Sequence, residues 1–195
     1  MALLPANATG KEKEKDGPFG LTVMGTAVTE ENKDDILGDG TKSMSYDPET
    51  RVLRLENLTL EDTTDDTTIA SSGTLTIEVI GKNTIATESS AIKISVLEAK
   101  GFVFEGDGSL DVNAAVSTHG TFAILAQDYD SKAEGNGIEI NGPAITATSG
   151  GAFRGGSAAV SATGSITVNS GALKGKTSPT TGGSSGIFTH DNPHC

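Results

Sequence analysis

Apolar and polar residues alternate along this chain in short runs, and four of the runs repeat one phrase. They are GTLTIEVIGKNTIAT from Gly73, KGFVFEGDGSLDVNA from Lys100, NGIEINGPAITATSG from Asn136 and TGSITVNSGALKGKT from Thr163. In each, an alternating strand passes through a polar or glycine-bearing step into a second short strand opened by an aliphatic residue. That residue is Ile85, Leu110, Ile145 and Leu173, and a weaker copy, RVLRLENLTLED, supplies Leu60. Successive anchors are 25, 25, 35 and 28 residues apart. A strand repeat of this size cannot bury its own apolar face, so each copy must stack on the next. The expected fold is all-β: a right-handed parallel β-helix (a β-solenoid) of five or six coils with an N-terminal β cap. The hand follows from the general rule for parallel crossovers.

The chain divides accordingly. Residues 1–18 are polar, with a charge run from Lys11 to Asp16, and read as a flexible leader. Residues 19–68 differ in rhythm and read as a cap with the first strands, including a hairpin or β-arch around Asp47-Pro48. Residues 69–195 carry the coils. The pieces AIKISV, FAILAQ, AAVSA and GIFTH between phrases add a third strand per coil. Alternation places Leu75, Ile77, Val79, Ile92, Ile94, Phe102, Phe104, Leu110, Val112, Phe122, Ile124, Ile138, Ile140, Ile145, Val160, Ile166, Val168 and Leu173 inward. All six Phe are read as core.

Composition adjusts this picture at a few points. Hydrophobic residues make up 35% of the 195, below the usual globular share, while 25 Gly suit tight corners between short strands. The net charge of −12 opposes nucleic acid as a partner, since it repels a phosphate backbone. Cys195 is the single cysteine, which excludes an intrachain disulfide. The start, MALLPANATGKEKEKDG, lacks the basic and apolar regions of a signal peptide, and no apolar run approaches the ~18 residues of a membrane span, so membrane insertion is not expected. The oligomeric state is left open.

With repeat and cap in view, the chain resembles a family of bacterial β-helical carbohydrate-binding proteins of secreted and surface proteins of clostridial and gut bacteria. The residues that carry the resemblance are LTVMGTAVTEENKDDILGDGTKSMSYDPETRVLRLENLTL, then GTLTIEVIGKNTI and GSLDVNA, and it extends from about Gly20 to Lys176. The resemblance implies a right-handed parallel β-helix related to polysaccharide lyases. It also implies binding of plant-type polysaccharides, acidic ones included, calcium within the fold, and a secreted or cell-surface location.

The residues offer candidates for that chemistry. Calcium needs several hard oxygen ligands. Asp62, Asp65 and Asp66 share one Thr-rich turn, and Asp128 with Asp130 sits near Glu134 and Asn136 in the long insertion that stretches the third interval. Neither matches an EF-hand or the glycine-aspartate nonapeptide, and a solvated acidic turn is the plainer reading of each. Asp34, Asp35 and Asp39 read more simply as turn formers. For sugars, the expected ligand set is Tyr129 with Asp128, Asp130, Glu134 and Asn136, because a Tyr flanked by carboxylates can stack on and hydrogen-bond a ring. Against it, the chain has no Trp, and Tyr46 is its other Tyr. No catalytic residue is assigned: Lys93, Lys100, Lys132 and Arg154 form no visible cluster for a lyase, and His190, His194 and Cys195 lie on a tail. The expected function is a non-catalytic polysaccharide-binding module, with calcium as a candidate structural or ligand-bridging ion. A structural or adhesive solenoid without glycan affinity is the alternative, and a lyase-like enzyme the third.

Overall fold

A computed structural model of the protein describes residues 17–63, 67–87, 90–95, 101–115, 120–127, 137–151, 156–178 and 183–189. It is all-β. Three short strands come first: β1 (Leu21–Val23), β2 (Thr26–Ala27) and β3 (Met44–Asp47). A first tier follows with β4 (Val52–Glu56), β5 (Thr59–Thr63) and β6 (Thr67–Ser71), and a second with β7 (Leu75–Ile80), β8 (Lys82–Thr87) and β9 (Ser90–Ser95). The third contains β10 (Gly101–Glu105), β11 (Ser109–Ala114) and β12 (Phe122–Gln127). In the fourth and fifth, the long strands β13 (Gly137–Ser149) and β15 (Ile166–Thr177) each take two positions, followed by β14 (Ser157–Ala162) and β16 (Ser184–Thr189). Among the described residues no helix is long and apolar enough to cross a membrane.

The strands join into two mixed sheets. One runs β16-β14-β12-β9-β6-β1-β2, and the other runs β3-β4-β7-β10-β13-β11-β8-β5 with β15 on β13. The antiparallel pairs all involve β1 or β3, whereas every tier-to-tier pair is parallel. Parallel pairing thus starts with Val52 against Thr76, earlier in the chain than the coil start expected near Ile69. The hairpin at Asp47-Pro48 is present, with Asp47 opposite Val52. Its turn is closed by the Asp47 carboxylate, which accepts from Glu49 N–H at 2.9 Å and from the Thr50 hydroxyl at 2.7 Å.

Register sets the core. One ladder runs Leu53, Ile77, Phe104, Ile140, Val168, and another runs Ile69, Ile92, Ile124, Val160, Ile187. Because side chains alternate across a strand, a shared register stacks each apolar residue on its counterpart one tier away. The first four members of each ladder are buried, and each buried aliphatic side chain contributes roughly 1.5–3 kcal/mol. Phe102 and Phe104 pack together at 5.8 Å between ring centroids.

The structure corrects the expected stacking at three points. Ile85 does not lie over Leu110; it pairs with Val112, and Leu110 faces Asn83. Asn83 therefore occupies a core position at 0% exposure, where its Oδ1 accepts from Leu58 N–H at 2.9 Å and its Nδ2 donates to Ile80 O at 3.0 Å. Phe122 is half-buried and lines a groove instead of the core. Val168 is 45% exposed, because the inward residues of the fifth tier have no tier above them among the described residues. Ile166 and Leu173 are likewise only partly covered.

The corners between first and second strand positions need glycine. Gly106 and Gly142 have φ of 103° and 129°, and a Cβ on Gly142 would collide with the carbonyl oxygen of Gly106 in the tier before.

The Asn83 amide accepts from the Leu58 N–H and adds a second donor to Ile80 O, which also accepts from Asn57 N–H at 3.2 Å. Asn83→Leu is expected to lower unfolding stability by about 1–3 kcal/mol, as measured by urea denaturation. A variant as stable as the parent contradicts that role.

Candidate functional site

The outer side of the sheet formed by β12, β14 and β16 carries an open groove of about 490 Å3. Its floor follows from register. Phe122 pairs with Ala158 and Ala158 with Ser185, while Leu125 pairs with Ser161 and Ser161 with Phe188. These two rungs place large apolar side chains at the rim and small ones, Ala158 and Ser161, between them. Leu125 and Ala158 are buried yet belong to this groove rather than to the central core. Phe188 stands on the last strand at 44% exposure.

The backbone under the groove is tightly held. Ser157 N–H donates to Gly183 O and Ala158 N–H to Thr121 O, both at 3.1 Å, and Thr163 N–H donates to Ala126 O at 3.0 Å. A buried polar corner fixes the entry to β12: the Thr121 hydroxyl donates to Gly151 O at 2.9 Å and the Ser149 hydroxyl to Thr121 O at 3.1 Å. Phe122 follows Thr121 directly, so this corner sets where its ring emerges. One groove side chain has no partner among the described residues. Ser157 is 4% exposed, lines the groove, and its Oγ has no hydrogen-bond partner among the described residues.

A second, polar cleft of about 400 Å3 lies on the other sheet near the cap, lined by Asp34, Tyr46, Asp47, Arg54, Glu78 and Glu105 among others. Arg54 and Glu78 are register partners, as are Glu78 and Glu105, so three charges form one outward ladder. The Arg54 guanidinium donates to Glu78 at 3.1 Å and to Glu56 at 3.1 Å, and these carboxylates hold it above its ordinary range, Glu56 most strongly. Tyr46 is buried against Phe19 at 5.6 Å between centroids, and burial raises its phenol, so it is packing for the cap. Further along the same sheet, Asn169 donates to Glu139 and to Asn141 at 2.8 Å.

The expected site residues are placed as follows. Asp128, Tyr129, Asp130, Glu134 and Asn136, and of the other cluster Asp65 and Asp66, lie outside the described residues; Asp62 is on β5 with its side chain also outside them. Asp35 and Asp39 build turns, as expected: Asp35 accepts from Gly40 N–H at 2.9 Å, and Asp39 accepts from Thr41 N–H at 2.8 Å and from its hydroxyl at 2.7 Å. That hydroxyl is the largest cause holding the Asp39 carboxyl below its usual range. Among the described residues no group of three or more His, Cys, Asp or Glu side chains is placed to hold a metal ion.

Sequence reasoning missed the groove. The run FAILAQ is apolar almost throughout, so alternation could not phase it, and Phe122 was assigned inward with Ile124. Ser157 carries no signal of its own. The signal available was the pairing of FAILAQ with SAAVSA, whose small residues leave a trough beneath a Phe and a Leu.

The charge ladder is exposed, so its contribution is small. Arg54→Met is expected to cost less than about 1 kcal/mol, and the cost should shrink in concentrated salt, as thermal melts at low and high ionic strength would show. A large, salt-independent loss contradicts this. Comparison of the chain with known protein families, with curated proteins and with solved structures finds no match, so the resemblance noted above rests on its motifs alone.

Proposed function

We propose that the stacked tiers wind as a right-handed parallel β-helix and that the protein is a non-catalytic polysaccharide-binding module of a secreted or cell-surface bacterial protein. Two things support the fold reading: strands one tier apart pair in parallel at three successive positions, and parallel crossovers are right-handed as a rule. The observation that carries the functional reading is the groove over β12, β14 and β16. It offers two exposed or half-exposed phenyl rings and a row of hydroxyls on a rigid hydrogen-bonded sheet. Sugar rings present an apolar C–H face and a polar hydroxyl edge, and a surface of this kind matches both. The acidic segment 128–136 follows Gln127, a groove residue, in the chain, and calcium enters the proposal as an ion of that segment, apart from the groove.

One observation favours a second reading, a structural or adhesive solenoid. The fifth tier exposes Val168, Ile187 and Phe188 along strands β15 and β16, at the margins of the described sheets, whereas the cap exposes the single large apolar side chain of Met24 among its described residues. An apolar end at the margin of the described strands suits association with another body.

A pull-down on cellulose, pectic acid and a neutral hemicellulose, with calcium and again with chelator, separates the readings. The protein should be retained on at least one phase, and Phe122→Ala should reduce retention several-fold while leaving the fold intact by circular dichroism. Loss on chelation would assign retention to calcium on segment 128–136 and not to the groove alone; no retention on any phase contradicts the polysaccharide reading.

A further inference from the structure

The groove has a chemical preference that goes beyond binding of polysaccharide in general. Its apolar parts are Phe122, Leu125 and Phe188, its polar parts are hydroxyls and the Gln127 amide, and among the described lining residues none is charged. A carboxylate entering it would lose water without meeting a cation among the described lining residues, which is costly. An aliphatic chain would satisfy the apolar walls but leave Ser157 Oγ without a partner. Ser157 is the informative group: its backbone N–H is used by Gly183 O, its side chain is buried, and its hydroxyl has nothing to bond to within the described protein. Buried hydroxyls are nearly always satisfied, and an orphan lining a groove points to a partner that arrives with the ligand.

We propose that the groove over β12, β14 and β16 binds an uncharged sugar ring, stacked on Phe122 and Phe188 and anchored by a hydrogen bond between one of its hydroxyls and Ser157 Oγ. This rests on the polysaccharide reading and narrows it: the recognised unit is a neutral glycan, and its capture in the groove needs no cation.

The test is calorimetric titration of the full chain with cellohexaose, xylohexaose and mannohexaose as neutral probes, hexagalacturonate as the acidic probe and laurate as the aliphatic one, in calcium and in chelator. At least one neutral probe should bind, with affinity unchanged by chelator or by added salt, and neither hexagalacturonate nor laurate should compete. Ser157→Ala should weaken the neutral probe by about 2- to 10-fold, the worth of one hydrogen bond. Its melting temperature should stay the same or rise, because the hydroxyl removed has no partner among the described residues. Ala158→Leu, which fills the trough, should abolish binding; if it fails to fold, Ser157→Ala decides.

Preference for hexagalacturonate or laurate overturns the proposal. So does unaltered binding by Ser157→Ala, or a lowered melting temperature, which would mean that the hydroxyl is bonded within the protein. If polysaccharide is retained in the pull-down by both variants as by the parent, the general reading stands and this assignment falls. If nothing is retained by the parent, both fall.

Discussion

The structure depends on one constraint: from β4 onward each strand hydrogen-bonds in parallel to the strand one tier away, at a register that returns the same face to the same side. Ile77, Phe104 and Ile140 are 0% exposed because that register is kept from tier to tier. A slip by one residue would carry every one of these side chains to the solvent. The intervals need not be equal. What must be conserved is where each strand begins, and the chain absorbs the difference in its corners and insertions. Glycine at positions such as Gly106 and Gly142 lets those corners stack backbone on backbone.

How legible this was in the residues varies along the chain. The strands and most of the core were readable, since LTIEV, FVF and GIEI alternate cleanly and each buries its large residues. The anchors were readable only in part. Aligning Ile85 with Leu110 assumed that an aliphatic residue must open every second strand, but Asn83 fills that place by bonding two backbone groups of its own neighbourhood. A polar residue that satisfies the main chain is invisible to an apolar pattern. Phe122 was misplaced for the opposite reason: in a run that is apolar on both faces, period two has nothing to distinguish. The acidic and tyrosine-bearing loop singled out for ligands lies outside the described residues, and the groove lies on the strand that leads into it.

The same stacking that buries the core creates the surface. Rungs of equal register set Phe122 beside Ala158 and Ser185, and Leu125 beside Ser161 and Phe188, so a trough between large rims is a product of side-chain size along two rungs. Such a site is rigid because its floor is a sheet, and rigid sites lose little entropy when they bind. The two ends of the stack differ in physical state. At the cap, Tyr46 N–H donates to Lys33 O and Ile36 N–H to Met44 O, which closes the edge of β3, while the far end leaves β15 and β16 at the margins with apolar residues exposed.

The central claim, that the groove over β12, β14 and β16 is where a glycan binds, is tested most directly by mapping amide chemical shifts as a neutral oligosaccharide is added. The account predicts shifts concentrated at Phe122, Leu125, Ser157, Ser161, Ser185 and Phe188, with the cap and the Arg54–Glu78–Glu105 ladder unmoved. Shifts centred on the cap or that ladder, with these six silent, would contradict it.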